Sequence, residues 1–265
     1  MKIQFQKKDA EYYGIEVFRK DIAVITCKHP VFIEIVSTVL LELCEASNNL
    51  TKELCNIMEL YAFMIDDSKE KEYFELKNKL IDYFIMIQDF DFDSKLRAYN
   101  SKEYEQYRLS DNQKKMNVFR GILFEAIVEE LAHERFEVGQ FETGCCVIIN
   151  GRSVLVHYGN GKVKETFDIV GWNCAVPWGE FYECKIRPDK FKPENYELML
   201  KLEEYLKRNR VLNFKIIVAS ADADNNVLQQ IKLLEETMSL KLSKLECYGR
   251  ENIQKIYEIS IPIIA

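Results

Sequence analysis

Apolar residues in the first half of the chain recur mostly at helical spacing. Residues 30–66 are interpreted as two helices broken at Ser47-Asn48-Asn49, and residues 69–87 as a third helix. Residues 1–28 contain alternating stretches, from Tyr13 to Cys27, and are predicted to form one or two short strands instead. Residues 97–115 are polar and rich in tyrosine, with few aliphatic side chains, and we place a domain boundary there.

The pattern changes after this boundary. Apolar residues between Phe124 and Leu131 form a stripe at i, i+3, i+4 and i+7, which predicts a helix. Short apolar segments follow, separated by Asn150-Gly151 and by Gly159-Asn160-Gly161. Asn-Gly readily supplies the positive φ angles of tight hairpin turns, so these segments are predicted to be strands joined by hairpins.

The remaining segments alternate between helix and strand. Pro193 suits a first helical turn, and the helix that it opens is predicted to end near residues 208–210. The β-branched segment 214–220 predicts a buried strand, residues 225–238 a helix, and residues 255–264 a final strand.

These elements predict an α/β (α+β) fold with a mixed central sheet flanked by helices. We assign residues 111–265 to this domain and residues 1–110 to a mainly helical N-terminal region. The N-terminal region carries no candidate catalytic residue, and it is expected to bind substrate, to dimerise or to bind a partner.

Two of the predicted strands carry acidic side chains. In Phe167-Asp168-Ile169, the two apolar residues suit one face, so Asp168 emerges on the other. In the segment that ends at Lys185, Glu183 and Lys185 share a face. If the strands pair, two carboxylates and one ammonium converge. Clustered carboxylates favour a hard divalent cation such as Mg²⁺, and such a cation can assist phosphodiester hydrolysis.

A helix with an acid, a strand with Asp and a strand with Glu-x-Lys follow one another in this order. The order resembles the PD-(D/E)xK nuclease superfamily, whose fold is the restriction-endonuclease-like fold, over roughly residues 115–222. The resemblance matches Glu125 to the helix acid, Asp168 to the Asp motif, and Glu183 and Lys185 to the last motif. The chain departs from the family pattern in having Phe167 where the motif has Pro.

The resemblance also implies roles for these residues. Asp168, Glu183 and Glu125 would hold Mg²⁺ or Mn²⁺, with the backbone carbonyl of Cys184 as a further ligand, and Lys185 would orient water or stabilise developing charge. Glu125 is the least specific assignment, because Glu129 and Glu130 stand on the same predicted helix, and a run of Glu on a helix is usually a solvated face.

Composition limits the kinds of partner. The net charge is −7, and residues 185–215 form a basic stretch with nine basic and five acidic residues. This stretch could contact phosphates locally, although the chain lacks the strongly basic face typical of tight non-specific DNA binding. No apolar segment approaches the ~20 residues that span a bilayer, and the first residues do not form a signal peptide, so we expect a cytoplasmic protein.

Other residue types favour structural roles. The eight cysteines form no Cys-x-x-Cys pair and only three histidines accompany them, so buried thiols are favoured over a zinc site. His133 and His157 are isolated and are interpreted as surface or satisfied side chains. Trp172 and Trp178 are interpreted as core residues, with stacking on an extruded base as the alternative.

The sequence therefore predicts a metal-dependent endonuclease that acts on nucleic acid. The resemblance favours DNA as the substrate and restriction or anti-phage defence as the setting, with DNA repair as another setting. It also implies that the chain forms a homodimer or binds a partner protein of a defence system. Two alternatives are kept: an RNA nuclease, and a catalytically silent binding or scaffolding protein that retains the fold.

Overall fold

The computed structural model describes residues 2–7, 16–44, 49–89, 111–136 and 140–260. The chain divides into two compact units. Residues Tyr13–Ile127 form one, which we call the helical unit, and Met1–Tyr12 together with Val128–Ala265 form the other, which we call the sheet unit.

The described part of the helical unit is built from α-helices and one short 3-10 helix at Ala62–Met64. The α-helices are α1 (Glu16–Cys27), α2 (Pro30–Glu42), α3 (Leu50–Tyr61), α4 (Glu70–Asp89) and α5 (Asp111–Ala132), the last of which continues into the sheet unit. The predicted helices over 30–66 and 69–87 and the helix through Glu125 are confirmed. Buried aromatic side chains hold the unit together, and the Tyr83 hydroxyl donates to the carbonyl of Phe119 at 2.7 Å.

The prediction of one or two short strands over residues 1–28 is confirmed for Ile3–Lys7, which form a strand, and is wrong for residues 16–27. Residues 16–27 form helix α1, whose buried positions are Arg19, Ile22, Ala23, Ile25 and Thr26. Two of these five are polar, so the buried face of α1 is not a purely apolar stripe. Most of the predicted boundary region, residues 97–110, lies outside the described residues, and residues 111–115 begin α5.

The sheet unit contains a mixed central sheet and a small separate hairpin. Its strands are β1 (Ile3–Lys7), β2 (Gln140–Ile149), β3 (Arg152–Ser153), β4 (Val156–Tyr158), β5 (Lys162–Lys164), β6 (Thr166–Asn173), β7 (Trp178–Lys185), β8 (Phe214–Ser220) and β9 (Leu245–Tyr248). The main sheet has the order β1-β2-β6-β7-β8-β9, with β3 paired to β2, while β4 pairs with β5. The pairs from β1 to β7 are antiparallel, and β7-β8 and β8-β9 are parallel.

Two α-helices follow the antiparallel strands. Helix α6 (Pro193–Arg208) connects the parallel strands β7 and β8, and α7 (Asp224–Met238) connects β8 and β9. Apolar side chains from α6, α7 and one face of the sheet form a single buried cluster that includes Phe181, Leu202 and Ile231. The predicted mixed α/β architecture with flanking helices is confirmed.

Both predicted hairpin turns occur, since Asn150, Gly151, Asn160 and Gly161 all have positive φ. The predicted final strand is wrong in its described part, because residues 253–256 form a 3-10 helix and the last strand is β9. Ile253, Ile256 and Ile259 are buried at a spacing of three, which suits single anchoring contacts and not an alternating strand.

The first residues belong to the sheet unit, because Ile3 of β1 pairs with Ile149 of β2. The compact units therefore differ from the predicted division into residues 1–110 and 111–265. No helix among the described residues combines the length and the apolar character needed to cross a bilayer.

Candidate functional site

Strands β6 and β7 carry the candidate residues and pair antiparallel. The pairing places Val170 opposite Phe181 and Ile169 opposite Tyr182, so Asp168 and Glu183 directly follow the paired segment at the same end. The parallel neighbour β8 covers the other edge of β7, where Lys185 pairs with Ser220. The pairing with β8 extends through Glu183 and Lys185 and holds the backbone that carries them.

The ammonium of Lys185 joins the two acids. Its Nζ lies 2.9 Å from Oδ2 of Asp168 and 2.8 Å from Oε1 of Glu183. The same Nζ donates to the backbone carbonyl of Cys184 at 2.9 Å, and the Cys184 amide donates to Oδ2 of Asp168 at 2.6 Å. The structure therefore brings together Asp168, Glu183, Lys185 and the Cys184 peptide group, all of which the sequence singled out.

Glu183 is the most deeply buried member of this group, with 1% of its side chain exposed. Its Oε1 accepts from Lys185, from Lys164 at 3.1 Å and from the amide of Asn195. Its Oε2 is buried and has no hydrogen-bond partner among the residues that the structure describes. A buried, unsatisfied carboxylate oxygen is costly, so this atom marks a place where a ligand would be stabilised.

Asn195 reaches the site from the first turn of α6. Its Oδ1 accepts the backbone N–H of Lys192 at 3.0 Å, which leaves its Nδ2 to donate to Glu183. The helix start thereby orients the amide, and the amide in turn orients the acid. Sequence reasoning missed Asn195, although its position just after the Pro193 that opens the helix is a recognisable capping signal.

Lys164 is the second residue that sequence reasoning missed. It ends strand β5, just before β6 begins, and 18% of its side chain is exposed. Lys164 precedes Asp168 by four positions, so that the two side chains would share a face if the strand were continuous. This even spacing was the available signal.

The two lysines change the acid–base properties of the site. Burial of the Asp168 carboxyl disfavours its charged form, but the ammoniums of Lys185 and Lys164 and the Cys184 amide together hold its pKa below the ordinary value of 3.8. Burial likewise disfavours charge on Lys185, yet Asp168 and Glu183 raise its pKa well above 10.5. Both residues are therefore charged at neutral pH.

The donor set suits a hard divalent cation. Two carboxylates and the Cys184 carbonyl are oxygen ligands of the type that Mg²⁺ and Mn²⁺ prefer, and both carboxylates contact the same ammonium. The orphaned Oε2 of Glu183 is consistent with such a ligand. Asp168, Glu183 and the Cys184 carbonyl would hold the ion.

Glu125 belongs to the helical unit. It lies on α5 with a partly buried side chain, and Glu129, one turn later, belongs to the sheet unit. The grouping of Glu125 with the three strand residues stays a prediction, as does the choice between Glu125, Glu129 and Glu130.

The opposite face of β7 carries a second buried polar network. Arg135 donates to both carboxylate oxygens of Glu180, at 3.0 and 2.7 Å, and to the Tyr182 hydroxyl at 3.0 Å. Trp178 Nε1 and the Tyr182 hydroxyl also donate to Glu180. Glu180 is fully buried, and this bidentate ion pair stabilises the back of the strand that presents Glu183.

The remaining predicted roles can be compared with their positions. Trp172 and Trp178 are buried at 5% and 4% exposure, as the core interpretation expects. His133 lies near the surface, with its ring close to the carbonyl of Glu130, and His157 is exposed on β4. Cys145, Cys146 and Cys184 are buried, as the structural interpretation of the cysteines expects.

Comparison with known proteins adds no family assignment. No protein-family model matches the chain, and no curated protein sequence matches it.

Proposed function

We propose that the chain is a metal-dependent nuclease that hydrolyses phosphodiester bonds. The observation that carries this proposal is the convergence of Asp168, Glu183 and Lys185 on one patch, where a buried Glu183 oxygen lacks a hydrogen-bond partner within the described part of the chain. If this site bound no ligand, both oxygens of the buried Glu183 carboxylate would be expected to accept hydrogen bonds from the neighbouring lysines and the Asn195 amide.

Each protein group has a defined task in this proposal. Asp168 and Glu183 supply negative charge and oxygen ligands, while Asn195 keeps Glu183 in one orientation. Lys185 offers a fixed positive charge beside the position of the scissile phosphate, and this charge can stabilise negative charge that develops there. Strand pairing on both sides of β7 limits reorganisation of these groups.

A bound Mg²⁺ or Mn²⁺ would activate a water molecule and offset phosphate charge. Lys185 and Lys164 neutralise the acids in its absence, so the site is compatible with a folded, cation-free protein.

The order of elements supports the more specific fold proposal. Helix α5, strands β2, β6 and β7, helix α6 and strand β8 follow the helix, three-stranded meander, helix and strand of the restriction-endonuclease-like core. In that arrangement Asp168 and Glu183 occupy the two adjacent meander strands that bear the family's acids. The extra hairpin β4-β5 lies between the first and second meander strands.

We further propose DNA as the substrate and an endonuclease of restriction or anti-phage defence as the setting, both of which rest on the family resemblance. Exposed basic residues near the end of β7, among them Arg187 and Lys192, provide local contacts for a phosphate backbone. The helical unit would supply substrate choice, dimerisation or binding of a partner protein.

The test is cleavage of supercoiled DNA, linear duplex DNA, single-stranded DNA and RNA in EDTA, Mg²⁺, Mn²⁺ and Ca²⁺. We expect strand scission in Mg²⁺ or Mn²⁺ and none in EDTA. A preparation of Asp168→Asn made in parallel should be inactive, while Lys190→Ala, a change at an exposed residue paired with Asp189, should retain activity. Equal cleavage by the Asp168→Asn preparation would assign the activity to a contaminant.

A catalytically silent binding protein is the second candidate. The observation in its favour is that Lys164 and Lys185 already compensate both acids, so that the site is electrostatically complete without a cation. Cation binding without cleavage of any of the four nucleic acids, together with measurable affinity for one of them, would favour this candidate over the nuclease.

A further inference from the structure

We propose that Lys164 is a substrate-binding residue with two alternating partners. Without a divalent cation it neutralises Glu183, and when a cation occupies the carboxylates its ammonium moves to a phosphate oxygen of the nucleic-acid backbone. This inference rests on the proposed function for the identity of the phosphate, but not for the exchange between Lys164 and the cation.

The first observation concerns where Lys164 comes from. It lies at the end of hairpin β4-β5, which is separate from the main sheet and packs on helix α6. Val156 anchors the hairpin, because its side chain belongs to the buried apolar cluster between the sheet and helices α6 and α7. The tip of the hairpin, at Gly159 and Asn160, is exposed. The backbone at Lys164 is thus fixed, whereas its side chain of four methylenes can reorient.

The second observation is the balance of charge. Lys185 contacts both carboxylates and Lys164 contacts Glu183, so the charges of the two acids and the two ammoniums cancel. A divalent cation on the same carboxylates would leave an excess of positive charge in a partly buried site. Repulsion at this range is strong where water is scarce, so one ammonium must withdraw or meet an anion.

The contacts indicate which ammonium withdraws. Lys185 is held by three oxygens, on Asp168, on Glu183 and on the Cys184 carbonyl. It can keep contacts with them if the ion binds carboxylate oxygens that no ammonium touches, such as Oε2 of Glu183, which has no hydrogen-bond partner among the described residues. Lys164 makes one ion pair among the described residues, to Glu183, whose Oε1 retains Asn195 and Lys185 as donors when Lys164 leaves. Lys164 is also partly exposed, at 18%, so its ammonium can turn toward solvent without crossing the core.

The chemistry of the released group identifies its next partner. A lysine ammonium is a compact point charge with three donors, which suits phosphate oxygens. Because the ammonium starts 3.1 Å from Glu183, it remains beside the scissile phosphate in the proposed nuclease. Lys164 would then bind phosphate only when the cation is present, so that cation and substrate would bind with positive cooperativity.

The experiment compares Lys164→Met with Lys162→Met, a matched loss of one charge from the same strand. The Mn²⁺ affinity is measured by calorimetry on the full chain without nucleic acid. We expect Lys164→Met to bind Mn²⁺ about threefold to thirtyfold more tightly than the natural chain, because a competing charge is removed, and Lys162→Met to bind it as the natural chain does. Affinity for a duplex DNA oligonucleotide is then measured in Ca²⁺ over a range of salt concentrations.

The Lys164→Met chain should bind the oligonucleotide more weakly, with a salt dependence smaller by about one phosphate contact. Lys164→Arg should restore most of this loss. Unchanged Mn²⁺ affinity in Lys164→Met, or in Lys164→Gln if the Met variant does not fold, would overturn the exchange. Tighter Mn²⁺ binding with unchanged oligonucleotide affinity would overturn the phosphate role.

These outcomes are separable from those of the proposed function. If Lys164→Met gains Mn²⁺ affinity but the natural chain cuts no nucleic acid, the exchange stands and the nuclease proposal fails. If the natural chain cuts DNA and both lysine variants match it in Mn²⁺ affinity and in cleavage, the nuclease proposal stands and the role of Lys164 is refuted.

Discussion

The ammonium of Lys185 lies 2.9 Å from Oδ2 of Asp168, although the two residues come from different strands. The same ammonium touches Glu183, so that one lysine bridges both acids of the site. The lysine compensates buried negative charge in the folded chain, and in the proposed nuclease it would also present positive charge to a bound phosphate. These two contributions can be measured separately.

Replacement of Lys185 by Ala should abolish cleavage and weaken the cation-free fold. We expect a loss of at least ~10²-fold in rate, because a preorganised charge is removed. In EDTA the free energy of unfolding should fall by about 1–3 kcal/mol, because two carboxylates lose a donor. Mn²⁺ should restore this stability by occupying the carboxylates but should not restore the rate. Calorimetric unfolding and a cleavage assay measure the two effects.

Lys190→Ala is the matched control for Lys185→Ala, since Lys190 is exposed and its ammonium pairs with the neighbouring Asp189. Lys190→Ala should change neither the cleavage rate nor the free energy of unfolding in EDTA by more than is typical of surface substitutions. Full cleavage by Lys185→Ala would remove Lys185 from the proposed mechanism.

Asn195→Ala should loosen Glu183 without removing any charge. Its amide links the start of α6 to the buried acid, so its loss leaves Oε1 with two donors and the Lys192 N–H without its acceptor. We expect a destabilisation of about 1–3 kcal/mol and a reduced affinity for Mn²⁺. Urea unfolding and calorimetry measure these changes. Asn226→Ala, at the exposed first turn of α7, is the control, and an identical response of the two variants would argue against a specific role for Asn195.

The strand part of the site could be predicted because it depends on local geometry. Side chains two apart on a strand share a face, which sets Glu183 beside Lys185 before any tertiary contact is known. Asp168 required only that the two strands pair. Lys164 and Asn195 could not be assigned to the site from local geometry. They reach Glu183 from a hairpin and from a helix, and the positions of both elements depend on packing.

The errors in the predicted fold have a similar origin. Helix α1 buries Arg19 and Thr26 beside its apolar residues, so the apolar pattern alone suggested alternation. The C-terminal isoleucines are buried one at a time and not in a strand. By contrast, Asn-Gly turns and the stripe on α5 are short-range signals with a direct steric or periodic cause, and they were predicted correctly.

Acidification should weaken the site through Asp168. Its pKa is below 3.8 in the folded chain, so its ionisation stabilises the fold above that pH, and this contribution is lost as the pH falls through the folded pKa. In EDTA, the unfolding free energy of the natural chain should therefore fall more steeply below about pH 4 than that of Asp168→Asn. Chemical unfolding at several pH values measures the difference, with Asp189→Asn as an exposed control. Parallel acid profiles for the natural chain and Asp168→Asn would contradict the depressed pKa.

Strand β1 should be required for the stability of the sheet unit although it lies at the opposite end of the sequence. Ile3 is 5% exposed and belongs to the buried cluster, and the backbones of Lys2 and Asn150 also bond at 2.9 Å. Ile3→Ala should lower the free energy of unfolding measured in urea by about 2–4 kcal/mol, whereas Gln4→Ala, at an exposed position of the same strand, should change it little.

A fragment of residues 111–265 lacks β1 and leaves an edge of β2 unpaired, so it should be less stable and prone to association. If Ile3→Ala unfolds at the same urea concentration as the natural chain, and the fragment is monomeric and equally stable, β1 is dispensable and a division at residue 110 describes the folding units better.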